Sequence, residues 1–359
     1  MNETQVTMFR FSGLTQDPAL SIFLFIFFLL VYMITVVGNV GLFIIVYRTS
    51  TLHTPMYYFL SHLSVVDLFY SSAVTPKMIV DLIFLEKVIT FNGCALQFFV
   101  FSALAGTEVL LLSSMSYDRY AAICHPLHYV SIMTKRKCLG LVLGAFAFGF
   151  FQSSVQTICL FSLWYCGSWL IDHFYCDVPP LLKLSCSRTF TCEMVNIFLI
   201  GSCGFFSLAL ILCSYIFIIT SILRIRSGNG RQKAFSTCSS HVICASIFYV
   251  SVFLTYFHSS SNVFEEQDKV AAIFYSIMTP MLNPLIYSLR NQEVRKGIAQ
   301  VLHSIGCLVT ASLSKQLSGT DGGGGGVIAR SVQGAQIGSN ITVWDIGATI
   351  LGFINGRFK

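Results

Sequence analysis

Two carboxylates stand where acids are rarely tolerated. Asp67 lies midway along one long apolar run, and Glu108 lies midway along the next. Ionisable side chains inside apolar spans are costly, and by default they mark function. If the two runs are antiparallel helices, the carboxylates share one depth. They then repel unless a cation sits between them or one is protonated. Asn39 and Asn283, also near mid-run, offer neutral oxygens. A small-cation site is the favoured reading. A polar network that packs helices and a proton pathway remain open beside it.

Two further constellations lie at run ends. Asp118-Arg119-Tyr120 closes the third run. An acid beside an arginine there forms a local ion pair that holds the arginine until a partner displaces it, or the arginine is simply a charge anchor. Asn283-Pro284 and Tyr287 lie near the end of the seventh run. Proline deletes a backbone hydrogen bond and permits a kink, which serves as a hinge or only as packing. Catalytic signatures are missing: there is no His-Glu-x-x-His, no Gly-x-Ser-x-Gly and no phosphate-cradling loop. No catalytic residue is assigned, no enzyme is expected, and no cofactor is expected beyond a structural sodium at Asp67 and Glu108.

These groups need an apolar scaffold to position them. Of the 359 residues, 55% are hydrophobic and 11% charged, against about 25% charged in soluble domains. Seven runs, 20–47, 56–85, 94–123, 138–161, 194–223, 234–258 and 270–289, each reach the roughly 20 residues that a membrane-crossing helix needs. The spacing predicts an all-α membrane protein built as a seven-helix bundle. The first run lacks a small-residue cleavage site and reads as a retained helix. Lys and Arg number twelve in alternate inter-helix segments and five in the others, which puts the N-terminus outside. The net charge of +6 is thus sorted by loop, and no nucleic-acid partner is expected. A sequon at Asn2 falls on the outer side.

Four of the 13 cysteines, Cys94, Cys166, Cys176 and Cys186, cluster on that outer side. They read as two disulfides whose pairing spacing does not choose. Residues 1–19 form an outer tail. The longest outer loop, about 162–193, suits a lid over a cavity. Residues 293–304 carry apolar positions at helical spacing and read as an amphipathic helix on the inner interface. The seven-helix region with this amphipathic helix therefore spans 20–304. Residues 305–359 are Gly- and Ser-rich, with Gly322 to Gly326 unbroken, and read as a flexible tail. No long internal repeat is evident, which argues against an inverted-repeat transporter. An ion or proton transporter using Asp67 and Glu108 is the alternative function.

The motif set resembles that of vertebrate olfactory receptors, within the rhodopsin-like G-protein-coupled receptors. The residues that carry it are Gly38-Asn39-Val40, the stretch from Leu52-His53-Thr54-Pro55-Met56 to Leu60, Met115 to Tyr129, Ser214-Tyr215, Lys233-Ala234-Phe235-Ser236-Thr237-Cys238 to His241, and Pro280 to Asn291. The resemblance implies pairing of Cys94 with Cys176 and of Cys166 with Cys186. It also implies a sodium site at Asp67 and Glu108. Activation and G-protein coupling would fall to Asp118, Arg119, Tyr120, Tyr215, His241, Asn283, Pro284 and Tyr287. Tyr249 and Tyr256 would bound an odorant pocket. It implies a plasma-membrane receptor, embedded in lipid, that takes a small volatile ligand and raises cyclic AMP through a stimulatory heterotrimeric G protein. Two departures stand out: Val250 replaces the family's usual glycine, and residues 305–359 have no counterpart.

Helical spacing places the pocket more fully. Phe101, Ser102, Ala105 and Gly106 share a face of the third helix, Leu199 and Cys203 of the fifth, and Tyr249, Val252, Phe253 and Tyr256 of the sixth. With Ser276 on the seventh they describe an apolar cavity with few polar handles. The ligand expected there is neutral and mostly apolar, with one oxygen or similar acceptor. An amine receptor would want a carboxylate on the outer part of the third helix, where Phe101, Ser102 and Ala105 stand instead.

Overall fold

A computed structural model describes residues 6–84, 86–166, 169–224, 227–257, 265–290 and 293–301. Asn2 and the tail 305–359 lie outside the described residues. The chain divides into two units, Met1–Ile298 and Ala299–Lys359. Only residues 299–301 of the second are described, and they are helical. All that follows concerns the first.

Among the described residues, seven helices are long and apolar enough to cross a membrane. They run Pro18–Arg48, Pro55–Ile83, Phe91–Cys124, Lys135–Phe161, Phe190–Leu223, Gly228–Phe257 and, in three parts, Glu265–Arg290. Several overrun the apolar segments predicted for them. The sixth starts at Gly228 rather than Ala234, because hydropathy marks only the lipid-crossing part of a helix. Starts are set by local chemistry. Asp17 and Thr90 cap the first and third helices by accepting from Ala19 N and Gly93 N, and Pro18 and Pro55 occupy first turns where no donor is lost.

Apolar groups face outward and polar groups inward. Phe23, Phe198, Phe206 and Ile216 are exposed on the outer surface of the bundle, while Asn39, Asp67, Thr75, Glu108 and Asn283 are buried within it. That arrangement suits lipid as the solvent. Lipid gives no hydrophobic drive between helices, so close contact depends on small residues. The third and fourth helices meet at Gly106 and Gly149, where a Cβ on Gly106 would lie 3.3 Å from Gly149 Cα. A Cβ on Gly149 would overlap Ala103 O and Thr107 Oγ1.

The end that the charge bias assigns to the outside carries a separate cap. Strand β1 (Met8–Phe11) lies between β2 (Val88–Thr90), antiparallel, and β3 (Leu170–Ile171), parallel. This small sheet adds β structure that the all-helical expectation omitted. Phe9 and Phe11 point inward from β1 onto Tyr165, Ile171 and Leu181. Disulfides join Cys94 to Cys176 and Cys166 to Cys186. The first ties the loop to the start of the third helix. The second closes the loop on itself beside a short helix, Val178–Leu184. At the opposite end Val294 is buried, with Arg295 and Lys296 exposed. Gly297 packs so closely that an added Cβ would lie 3.0 Å from Ile45 Cγ2.

Gly149→Leu should therefore wedge the third and fourth helices apart, at a cost of at least about 1–3 kcal/mol. Gly144→Leu on the same helix, where an added Cβ meets nothing within 4 Å, should be tolerated. Surface expression and thermal unfolding of the two variants check this. Equal behaviour would contradict the packing argument.

Candidate functional site

A cavity of about 410 Å³ lies beneath the outer cap, between the third, fourth, fifth, sixth and seventh helices. Eight of the residues expected to line it do so: Phe101, Ser102, Ala105, Gly106, Cys203, Tyr249, Val252 and Phe253. The side chain of Tyr256 lies outside the described residues. Leu199 does not reach the lining. The fifth helix presents Ile200, Gly201, Gly204, Phe205 and Leu208, a face centred near Gly204, and Leu199 sits about 140° away from that centre at 3.6 residues per turn. Ser276 is also outside the lining, and its hydroxyl donates to Ala272 O at 2.6 Å. The cause is a π turn at Phe274–Met278, closed by Thr279 N–H to Phe274 O. The wide turn rotates the seventh helix, so Tyr275 faces the cavity in place of its neighbour.

Sequence reasoning missed the lining contributed by Tyr70, Gln152, Gln156 and Asp177. A signal existed for three of them. Gln152 and Gln156 are polar residues four apart inside an apolar run, a spacing that puts both on one face. Asp177 directly follows Cys176, whose disulfide pins that loop above the third helix. Asp177 Oδ2 accepts from Tyr175 Oη at 2.7 Å and from Tyr275 Oη at 3.2 Å, and Oδ1 accepts from Val178 N at 2.7 Å. The loop thereby forms the roof. To one side, Phe205, Val250 and Phe253 line the cavity and are also 55–59% exposed on the bundle surface. The cavity therefore reaches the lipid-facing surface between the fifth and sixth helices. Val250, in place of the expected glycine, stands in that opening.

Below the cavity Asp67 and Glu108 are fully buried and come together around Asn283. Asn283 Nδ2 donates to Asp67 Oδ2 at 3.0 Å and lies 3.5 Å from Glu108 Oε1. Asp67 Oδ1, Glu108 Oε2, Asn283 Oδ1 and Asn39 Oδ1 are buried without a hydrogen-bond partner. Asn39 Nδ2 donates to Thr35 O at 3.0 Å and to Pro280 O at 2.9 Å. Pro280 O is the carbonyl that Pro284, lacking an N–H, leaves unpaired.

Toward the inner end, His241 links three helices. Its Nε2 lies 3.0 Å from Leu112 O, and its Nδ1 lies 2.9 Å from Tyr215 Oη. A carbonyl only accepts, so Nε2 carries the proton. In the neutral ring Nδ1 then accepts from Tyr215. Asp118 Oδ1 accepts from Tyr129 Oη at 2.8 Å, which ties the third helix to the inner loop, and Arg119 Nε is buried without a hydrogen-bond partner. Tyr120 Oη lies 3.0 Å from His125 Nε2. Tyr287 is buried in the same core.

The cap holds a buried histidine. His173 is buried between Phe174 and Tyr175. Burial, reinforced by the nearby Lys269 charge and partly offset by Asp172, lowers its pKa to about 3. Its stabilising contribution is complete above the ordinary histidine range and is lost as pH falls through that range towards 3. Going from pH 7 to 5 should therefore cost roughly 2 kcal/mol. Thermal unfolding of the purified protein at both values checks this. The wild type should melt lower at pH 5, and His173→Phe should narrow the gap. An unchanged gap would show that the titrating group lies elsewhere.

Comparison with known proteins agrees with this geometry. The family described as "Olfactory receptor" matches residues 28–304. Olfactory receptor 5B12 of Homo sapiens is 50% identical over 301 residues, 84% of this chain and 96% of that protein. Olfactory receptor 5B21 of Mus musculus is 49% identical over 302 residues, 84% of this chain and 95% of its own length. Among solved structures, squid rhodopsin aligns with a TM-score of 0.58 at 18% identity, covering 80% of this chain and 87% of that one, a likeness of fold. With about half of the aligned residues shared across nearly the full length of these relatives, and with the family match running from the first helix to residue 304, the chain belongs to the olfactory receptor family.

Proposed function

We propose that a small, mostly apolar odorant occupies the outer cavity, and that a stimulatory heterotrimeric G protein reads this at the inner end and raises cyclic AMP. The single observation that carries this reading is a roofed, largely apolar cavity whose wall residue Tyr249 is hydrogen-bonded to Ser207 of the fifth helix and through it to the third. Tyr249 Oη lies 2.5 Å from Ser207 Oγ, which donates to Val109 O at 3.0 Å. Leu112, which holds His241, is less than one turn away. A ligand that prefers one packing of the fifth and sixth helices shifts the equilibrium of the His241 contacts with Leu112 and Tyr215 by that preference alone. The receptor sits in the plasma membrane, and an apolar ligand reaches the cavity from the lipid phase between the fifth and sixth helices. No chemical step is assigned to the chain. The transporter reading of Asp67 and Glu108 gains no support from the olfactory receptor matches.

The buried oxygens of Asp67, Glu108, Asn283 and Asn39 fit a sodium ion, because they lack donors and two carry or share negative charge. Sodium there would neutralise the carboxylate pair and hold the resting arrangement of the second, third and seventh helices. Asp67→Asn should weaken the dependence of basal signalling on sodium. An equal sodium response in wild type and variant would remove the cation site from this account.

The ligand reading is tested with a cyclic-AMP reporter and a diverse odorant panel. Ala105→Phe, projecting into the cavity, should abolish the response at normal surface expression. A well-expressed variant responding at wild-type concentrations would place the ligand elsewhere.

A further inference from the structure

The cavity's polar edge has a direction. Asn196 Nδ2 donates to Cys192 O at 2.8 Å. A main-chain carbonyl accepts only, so this contact fixes which end of the Asn196 amide is nitrogen. The amide oxygen, Oδ1, therefore faces the fourth helix, where it accepts from Gln156 Nε2 at 3.1 Å. That contact in turn orients the Gln156 amide, and its Oε1 faces Ser102 Oγ at 2.5 Å. Ser102 must donate there. Its single proton is committed to Gln156, and its oxygen, at the half-buried cavity wall, keeps its lone pairs.

Two other observations share that sign. Asp177 in the roof accepts from Tyr175, Tyr275 and its neighbouring backbone amide, and offers oxygen alone. Gln152, one turn from Gln156, also lines the cavity. It is 94% buried, and its Oε1 has no hydrogen-bond partner.

We propose that this cavity selects ligands that donate a hydrogen bond, namely aliphatic or phenolic alcohols, over ketones, esters and ethers of the same shape, with Ser102 Oγ as the acceptor. This rests on the odorant-cavity reading above and deepens it. The acceptor-bearing ligand expected from sequence is narrowed to one whose oxygen also carries a proton. A ketone offered to Ser102 meets lone pairs with lone pairs, because the serine proton is held through Gln156 and Asn196.

The test uses the full-length receptor with a cyclic-AMP reporter and surface labelling. The probes are straight-chain primary alcohols of about six to ten carbons, benzyl alcohol and phenols, each beside its methyl ether and the nearest ketone or aldehyde. At least one alcohol should act at a concentration about tenfold or more below its ether and carbonyl partners, on the order of one hydrogen bond. Ser102→Ala should bring the pair together by weakening the alcohol. Gln156→Met should free the Ser102 proton and narrow the gap from the other side, by strengthening the carbonyl probe. A merely structural role for these residues would not produce opposite movements. Equal potency within matched pairs of wild type, with both responses lost in Ala105→Phe, would overturn the donor preference and leave the odorant cavity standing. Silence from every class at normal surface expression would overturn the cavity reading and this inference with it.

Discussion

The amide of Asn39 donates to the carbonyl of Pro280 across two helices, at 2.9 Å, and much of the bundle follows from why it must. Lipid offers no hydrogen bonds, so every backbone group that a helix leaves open has to be paired inside the protein. Pro284 opens one such group by removing its own N–H. Asn39 closes it, and the second proton of the same amide returns to Thr35 on its own helix. Gly38 makes the approach possible, since a Cβ there would lie 3.0 Å from Pro284 Cγ. First and seventh helices are thereby locked at the kink, and Asn283 is set down between Asp67 and Glu108.

The same constraint explains why the polar residues form connected groups. Ser64, Thr35 and Thr107 return their hydroxyls to carbonyls four residues back on their own helices. Longer polar side chains cannot do this alone and reach across. Gln97 donates to Ala73 O at 3.0 Å and accepts from Cys176 N at 3.1 Å, joining the second helix, the third helix and the cap. His241 joins the third, fifth and sixth. Each such link is costly to lose, because in lipid the freed group finds no water to replace its partner. Motion between arrangements must therefore exchange whole partners.

How much of this was legible depended on whether the signal was local. Seven spans are encoded within single segments and were visible. Clustering of four outer cysteines was visible, though the partner of each rested on family likeness. Asn39, Pro284, Asp67 and Glu108 were visible as types, while the pairing of Asn39 with Pro280 joins residues 241 apart and leaves no local trace. Leu199 and Ser276 were misplaced for a different reason. A regular helical period carries no information on the absolute rotation of the fifth helix, nor on a π turn that changes the rotation of the seventh. The strand Met8–Phe11 did carry a pattern, with Phe9 and Phe11 buried alternately, but four residues in a short tail give too little sequence to separate it from chance.

The cavity and the carboxylate pair meet through the third helix, and this gives the receptor's two ends a physical connection. Ser102 and Ala105 face the cavity, Glu108 faces Asn283, and Leu112 holds His241. These positions succeed one another at three or four residues, so they form one stripe along a single helix. Tyr249 approaches that stripe from the sixth helix through Ser207, and Ser113 pairs with the same serine. A ligand that moves the sixth helix against the third at Tyr249 disturbs a hydrogen-bond cluster that ends at Ser113, the chain neighbour of Leu112, whose carbonyl holds His241. Coupling then needs no large displacement. It needs only that the Tyr249–Ser207 contact and the His241–Leu112 contact cannot both be kept when the fifth and sixth helices repack.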